Sequence, residues 1–125
     1  MKLHYVTLGS NDLAKSKTFY NAALAPLGYT CLFESDGMIG YGDEAPVLYL
    51  IRPFDGAKAG GGNGTMLALT APTRTDVDAF HRDAMANGGT NEGDPGIRES
   101  VGPNFYAAYV RDPDGNKLSA VCEAA

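Results

Sequence analysis

Apolar and polar residues follow two different periods along the first half of this chain. Residues 3–9 alternate one by one, which is typical of a strand with His4, Val6 and Leu8 on one face. Apolar residues then recur every three to four positions between 12 and 26, which predicts a helix that covers a sheet and ends at Gly28. Three short β-prone runs follow, at 29–34, 37–41 and 46–52.

The same order returns in the second half. Residues 65–71 predict a strand, and the segment that begins at Thr73 resembles a capping box with Asp76 in place of the usual Glu. The helix that it opens is expected to end at Gly88 and Gly89. Strands are then expected near 97–100, 105–111 and 117–122.

The spacing of matching features predicts an internal duplication. His4 precedes Met66 by 62 residues (66 − 4 = 62), Asn11 precedes Thr73 by the same number (73 − 11 = 62), and Gly28 precedes Gly89 by 61 (89 − 28 = 61). Such a period describes two modules and not a solenoid of many short repeats. We therefore predict two β-α-β-β-β modules, at about 1–54 and 65–125, joined by a glycine-rich linker at about 55–64.

Composition narrows the classes of partner. The chain has 125 residues, 44% of them hydrophobic and 20% charged, which is ordinary for a globular domain. A net charge of −5 and dispersed basic residues argue against nucleic acid. No apolar run approaches the roughly 18 residues of a membrane span, and the start lacks the long apolar core of a secretion signal. Cys31 and Cys122 show no metal-type spacing, so we expect reduced thiols in a cytoplasmic protein.

A β-hairpin is predicted near the C-terminus. Its strands flank residues 112–116, Asp-Pro-Asp-Gly-Asn, in which Pro113 presets the first corner of a turn. Gly115 can adopt the positive φ that a following bulge requires.

This hairpin, together with the duplicated module, resembles the vicinal-oxygen-chelate superfamily, which includes glyoxalase I, bleomycin-resistance proteins and extradiol dioxygenases. The runs 50–56, 62–65 and 102–108 resemble a bacterial single-domain branch of it. The resemblance implies an α+β fold in which two tandem β-α-β-β-β modules form cupped mixed sheets. It also implies a small-molecule ligand and a homodimer.

The resemblance further implies where a metal would be held. Metal-dependent members take one ligand from the first strand and one from the last strand of each module, and the matching positions are His4, Tyr49, Met66 and Ser119. Only His4 is a usual ligand for a divalent ion, and no carboxylate is left to move a substrate proton. We therefore predict no metal site and no cofactor, and glyoxalase I activity is disfavoured.

The same positions predict the lining of a cleft, mostly apolar with a few polar points, as in other small-molecule pockets. Its predicted members are His4, Val6, Tyr49, Ile51, Arg52, Met66, Ala68, Thr70, Tyr106, Ser119 and Val121, with Tyr41 nearby.

Two classes of function fit these residues. The first is a metal-free module that binds a small molecule. The second is an enzyme, a lyase, isomerase or dioxygenase, either with His4 as general acid or base or with a metal site built from other residues. Asp36, Asp43, Glu44 and Glu123 are the candidate ligands in that last case.

Overall fold

A computed structural model describes residues 2–125 and contains two four-stranded sheets and two helices. The first half comprises β1 (Val6–Gly9), α1 (Leu13–Leu24), a 3-10 turn (Ala25–Leu27), β2 (Thr30–Glu34), β3 (Met38–Gly42) and β4 (Pro46–Ile51). The second half comprises β5 (Leu67–Thr70), α2 (Arg74–Ala86), β6 (Thr90–Ile97), β7 (Tyr106–Arg111) and β8 (Lys117–Cys122). The sheet orders are β1-β4-β3-β2 and β5-β8-β7-β6. The predicted fold of two β-α-β-β-β modules is confirmed.

The two sheets repeat the same pattern of pairing. In each, the first strand runs parallel to the last, and the other two neighbours are antiparallel. β1 and β5 are therefore edge strands, each with one side of its backbone outside the sheet. None of the helices among residues 2–125 has the length and apolar content needed to cross a membrane.

The helix starts fix the true period of the duplication. Asp12 caps α1 by accepting from the amides of Ala14 and Lys15, and Thr73 caps α2 by accepting from the amide of Asp76. The Thr73 hydroxyl also donates to the Asp76 carboxylate. The predicted N-cap is therefore confirmed, but the described residues show no bond from the Thr73 backbone amide to Asp76 that would complete a capping box. The separation of the caps is 61 residues (73 − 12 = 61). The predicted 62-residue equivalence of Asn11 with Thr73 is therefore wrong by one residue.

The prediction near 97–100 is also wrong. The strand there, β6, spans Thr90–Ile97, and its residues include Gly93, Pro95 and Gly96, which have low β propensity. Two register shifts interrupt its pairing with β7. The partner strand supplies the pairing that the local sequence does not favour, so propensity alone could not reveal this strand.

Both helices lie against the two sheets over a single hydrophobic core. Phe19 and Leu24 of α1, Phe80 of α2, and Leu50 and Leu118 of the last strands are fully buried in it. Each such side chain contributes about 1.5–3 kcal/mol relative to an exposed position. The core therefore draws on both modules.

A buried carboxylate joins the C-terminal hairpin to the first module. Asp112 is only 3% exposed, and its oxygens accept hydrogen bonds from the Tyr20 hydroxyl, at 2.6 Å, and from the side-chain amide of Asn116, at 2.8 Å. The backbone amides of Asp114 and Asn116 donate to its other oxygen. Burial, followed by the charge of Asp112, raises the pKa of Tyr20 well above its ordinary value, so the hydroxyl keeps its proton and donates.

Further contacts extend this junction. The Asn116 side-chain amide also donates to the Gly9 carbonyl at the end of β1. Asp114 accepts from the Asn11 backbone amide and from the Ser16 hydroxyl. Gly115 has a φ of 87°, which confirms the predicted positive-φ position of the turn. The hairpin turn is thus the place where the second module contacts the start of the first.

The glycine-rich linker is fixed to the same junction. Asn11 and Ala59 exchange two hydrogen bonds, since the Asn11 side chain accepts from the Ala59 amide and donates to the Ala59 carbonyl. A Cβ placed on Gly61 would lie 2.0 Å from the carbonyl oxygen of Gly115, so only glycine fits there.

We expect the variant Asp112→Ala to lose about 2–4 kcal/mol of unfolding free energy, because four donors would lose their buried acceptor. Urea denaturation followed by circular dichroism measures this. The control Asp43→Ala, an exposed acid in the β3–β4 turn, should change stability by no more than about 0.5 kcal/mol. A loss at Asp112 as small as the control's would show that the carboxylate is not needed for the junction.

Candidate functional site

The candidate site comprises the two sheet faces that point away from the helices, which we call the open faces. Alternation sets them, because Leu48, Leu50, Leu118 and Ala120 belong to the core and their neighbours must point the other way. The first open face carries Thr7, Tyr49 and Ile51. The second carries Ala68, Thr70, Ala107, Tyr109, Lys117, Ser119 and Val121.

Strand register relates the two open faces. Val6 pairs with Leu48 in the first sheet, and Leu67 pairs with Leu118 in the second. The first strands are therefore offset by 61 residues (67 − 6 = 61) and the last strands by 70 (118 − 48 = 70). By this register Tyr49 corresponds to Ser119, as predicted, and Met66 corresponds to Tyr5.

The predicted equivalence of His4 with Met66 is therefore wrong by one residue. Tyr5 packs edge-on against Tyr49, with ring centroids 5.3 Å apart, while the His4 ring packs against Tyr5 at 5.5 Å. His4 is exposed and precedes β1. Its role as an acid or base remains a prediction.

Three other residues lie away from the open faces. Val6 packs against the core, contrary to its predicted place in the cleft. Tyr41 is fully buried there, and its hydroxyl donates to Asn21 on α1.

Tyr106 faces α2, where its hydroxyl donates to Asp78 at 2.5 Å and Arg74 lies over its ring. The hydrogen bond to Asp78 is the main cause of the raised pKa of Tyr106. Tyr41 and Tyr106 were predicted near the cleft without a fixed facing, and strand alternation places them on the helix side.

Of the remaining predicted residues, four lie on the open faces and two lie just outside the strands. Ile51, Ala68, Thr70 and Val121 lie on the open faces, and their place in a ligand cleft stays a prediction. Met66 immediately precedes β5 and is 44% exposed. Arg52 follows β4, and its Nε donates to the Asp36 carbonyl at 3.2 Å, so this guanidinium contacts the β2–β3 turn.

Ser119 is the most constrained of these residues. Its side chain is fully buried, and its Oγ has no hydrogen-bond partner within residues 2–125. Its neighbours in register are Ala68 on β5 and Tyr109 on β7. An exposed nucleophile or a metal ligand needs an accessible oxygen, and Ser119 does not provide one in this arrangement.

These donors do not fit a divalent metal centre. The four corresponding positions carry two phenols, a thioether and a buried hydroxyl, at Tyr5, Tyr49, Met66 and Ser119. Zn²⁺, Ni²⁺ and Mn²⁺ prefer imidazole and carboxylate donors. Within residues 2–125, no three His, Cys, Asp or Glu side chains are grouped closely enough to hold a metal ion. No step of any reaction can therefore be assigned to a metal at these positions.

Basic side chains surround Tyr109 on the second open face, a feature that the sequence analysis missed. The Arg98 guanidinium lies 5.3 Å from the centre of the Tyr109 ring and the Lys117 ammonium 5.7 Å from it. Arg111, paired with Lys117 in register, forms a salt bridge with Glu92. The hydrogen bond from Arg111 is the main cause of the lowered pKa of Glu92. The alternation of β7 and β8 could have placed Tyr109, Arg111 and Lys117 together, but Arg98 follows the strand that the sequence did not reveal.

Two of the surface grooves bear on the candidate site. The larger, of about 610 Å³, is a surface trough on the helix side and is lined by Ala14, Lys15, Thr18, Asn87, Gly88 and Pro113. The smaller, of about 180 Å³, lies between the unpaired edges of β1 and β5, and we call it the edge groove. Its lining includes Leu3, His4, Tyr5, Val47, Leu67 and Leu69. The edge groove shares Ala68 with the second open face, whereas the larger trough contains no residue predicted for the site.

Comparison with known proteins identifies the family. The sequence profile of the Glyoxalase/Bleomycin resistance protein/Dioxygenase superfamily matches residues 2–119. The chain belongs to this superfamily, which confirms the predicted resemblance.

Solved structures agree with this assignment. A glyoxalase/bleomycin resistance protein from Albidiferax ferrireducens T118 is 41% identical, with 94% of this chain and 96% of that chain covered and a TM-score of 0.88. A glyoxalase I mutant from Zea mays is 27% identical with a TM-score of 0.72, covering 95% of this chain but 45% of that one. A glyoxalase-related enzyme from Fulvimarina pelagi, 22% identical over 98% of this chain and 88% of that one, shares the fold with a TM-score of 0.76. No curated protein matches the chain.

We expect Ser119→Ala to leave stability unchanged or to raise it by up to about 1 kcal/mol, because the variant removes a buried hydroxyl without a partner. Ser16→Ala is the matched control, since that buried hydroxyl lies 2.5 Å from the Ser10 hydroxyl and also bonds Asp114. In the same urea titration, the unfolding free energy of Ser16→Ala should fall by about 1–2 kcal/mol. A comparable loss in Ser119→Ala would show that Ser119 has a partner and is part of a polar site.

Proposed function

We propose that this protein binds a small organic molecule at its open faces without a metal ion. The observation that carries the proposal is the donor set, because the family scaffold is kept while its metal positions carry Tyr5, Tyr49, Met66 and Ser119. Such a lining offers apolar and aromatic surface with a few polar points, which suits an organic ligand better than a hard ion. Free thiols at Cys31 and Cys122 are compatible with a cytoplasmic location.

We expect a thermal-shift screen of small organic compounds to find a stabilising ligand. At a concentration of 100 times its Kd, such a ligand should raise the free energy of unfolding by roughly 2.7 kcal/mol. Thr7→Arg, which places a large cation beside Tyr49 on the first open face, should remove the response. Thr75→Arg, at an exposed position of α2, is the matched control and should keep it. If both variants bind the same compound equally well, the binding site lies elsewhere than at the first open face. If no compound stabilises the protein, the proposal is contradicted.

We further propose that the protein forms a homodimer through the edge groove. Apolar side chains are exposed around this groove, among them Leu3 (83% exposed), Tyr5 and Val47. The edge strands β1 and β5 also leave backbone groups unpaired beside it. A second copy covers such a surface by presenting the same apolar patch.

We expect sedimentation equilibrium to show a dimer that Leu3→Asp weakens at least tenfold, because a carboxylate would be buried at the interface. Phe54→Asp is the matched control, since Phe54 is at least as exposed but lies at the end of the first module, outside the edge groove. Dissociation by Phe54→Asp alone would place the interface elsewhere, and a monomeric parent protein would contradict the proposal directly.

A further inference from the structure

The second open face concentrates positive charge in an acidic protein. Arg98, Arg111 and Lys117 all lie on it, although the chain as a whole carries a net charge of −5. Arg111 and Lys117 are directly opposite one another in the ladder between β7 and β8. Like charges in that position destabilise a sheet, so the arrangement has a cost unless something compensates it.

Within residues 2–125, only part of this charge is compensated by acids. Glu92 forms a salt bridge with Arg111, which also donates to the Gly115 carbonyl at 2.7 Å. Neither Arg98 nor Lys117 forms a salt bridge in the described part of the chain, although the charge of Lys117 contributes to the lowered pKa of Glu92. The nearby carboxylate of Asp94 accepts instead from the side-chain amide of Asn91.

The Arg98 side chain is held in place without losing its charge. Its guanidinium donates to the carbonyls of Gly96, at 3.0 Å, and Asp94, at 2.6 Å. These bonds occupy two of the five N–H donors of an arginine and leave the others free. Because backbone carbonyls are neutral, they orient the group but do not cancel its charge.

Glycines of β6 make room for this arrangement. A Cβ on Gly93 would lie 2.9 Å from the Tyr109 ring and 3.2 Å from an Arg98 nitrogen, and a Cβ on Gly96 would lie 3.2 Å from the other Arg98 nitrogen. The ring and the guanidinium therefore rest directly on the strand. This close approach explains the two glycines, Gly93 and Gly96, in a strand that glycine does not favour.

We propose that the cluster of Arg98, Tyr109 and Lys117 binds the anionic group, a carboxylate or a phosphate, of the small molecule that this protein takes up. This inference rests on the proposed function and names the chemical class of its ligand. Two half-buried cations that form no salt bridge attract an anion, and charge-assisted hydrogen bonds from a fixed guanidinium hold it in one orientation. The exposed part of the Tyr109 ring offers a surface on which an aromatic or apolar part of the ligand can pack.

The test uses inorganic phosphate and benzoate as separate probes, titrated calorimetrically against the intact protein at an ionic strength kept constant with sodium chloride. We expect saturable binding of at least one probe, and the stronger of the two identifies phosphate or carboxylate as the preferred group. Lys117→Gln and Arg98→Gln should each weaken that binding at least tenfold. Lys117→Arg, which keeps the charge, should retain most of it, and Lys58→Gln, which removes an exposed lysine of the linker, should bind as the parent does.

The outcomes separate this inference from the proposed function. No saturable binding of either probe, or equal weakening in Lys58→Gln, would overturn the anion site. A neutral ligand from the thermal-shift screen that binds Lys117→Gln unchanged would overturn it as well, yet would leave small-molecule binding at the open faces intact. If Arg98→Gln does not fold, the comparison of Lys117→Gln with Lys117→Arg decides the result.

Discussion

The buried carboxylate of Asp112 is the contact on which the arrangement of the two modules depends. It links the C-terminal hairpin to α1 through Tyr20, and through Asn116 to the end of β1. Four donors saturate it, which removes the usual cost of burying a charge. Because β8 begins directly after this turn, the junction acts together with the ladders to β5 and β7 in positioning the second open face.

Much of the fold could be predicted from the sequence because local signals agree with the tertiary structure. The turn of residues 112–116, the N-cap at Thr73 and the positive-φ Gly88 just beyond the end of α2 each combine a backbone requirement with the residue type that meets it. Strand β6 could not be predicted, since its glycines serve the packing of Arg98 and Tyr109 and give no β-prone pattern. Here a tertiary requirement overrides propensity.

The site was harder to predict because a strand's faces depend on register to the single residue. The sequence predicted that His4 of the first module corresponds to Met66 of the second, an offset of 62 residues. The strand registers give an offset of 61 between β1 and β5, so the residue that corresponds to Met66 is Tyr5 and not His4. Tyr41 and Tyr106 were predicted near the cleft without a fixed facing, and the alternation of β3 and β7 turns both toward the helices. The predicted equivalence of Tyr49 with Ser119 agrees with the strand registers. The β7–β8 turn fixes the register of β8, which carries Ser119, independently of the count from His4.

The central claim is that a family scaffold built around metal positions here presents a surface for an organic ligand. Its most direct test is the metal content of the purified protein after incubation with Ni²⁺, Zn²⁺, Mn²⁺ and Fe²⁺ and removal of free ions by desalting. The account predicts that no metal is retained, because phenols, a thioether and a buried hydroxyl bind hard ions poorly. Retention of one ion per chain, lost in His4→Ala or in Tyr49→Phe, would contradict it and restore a metal-dependent mechanism.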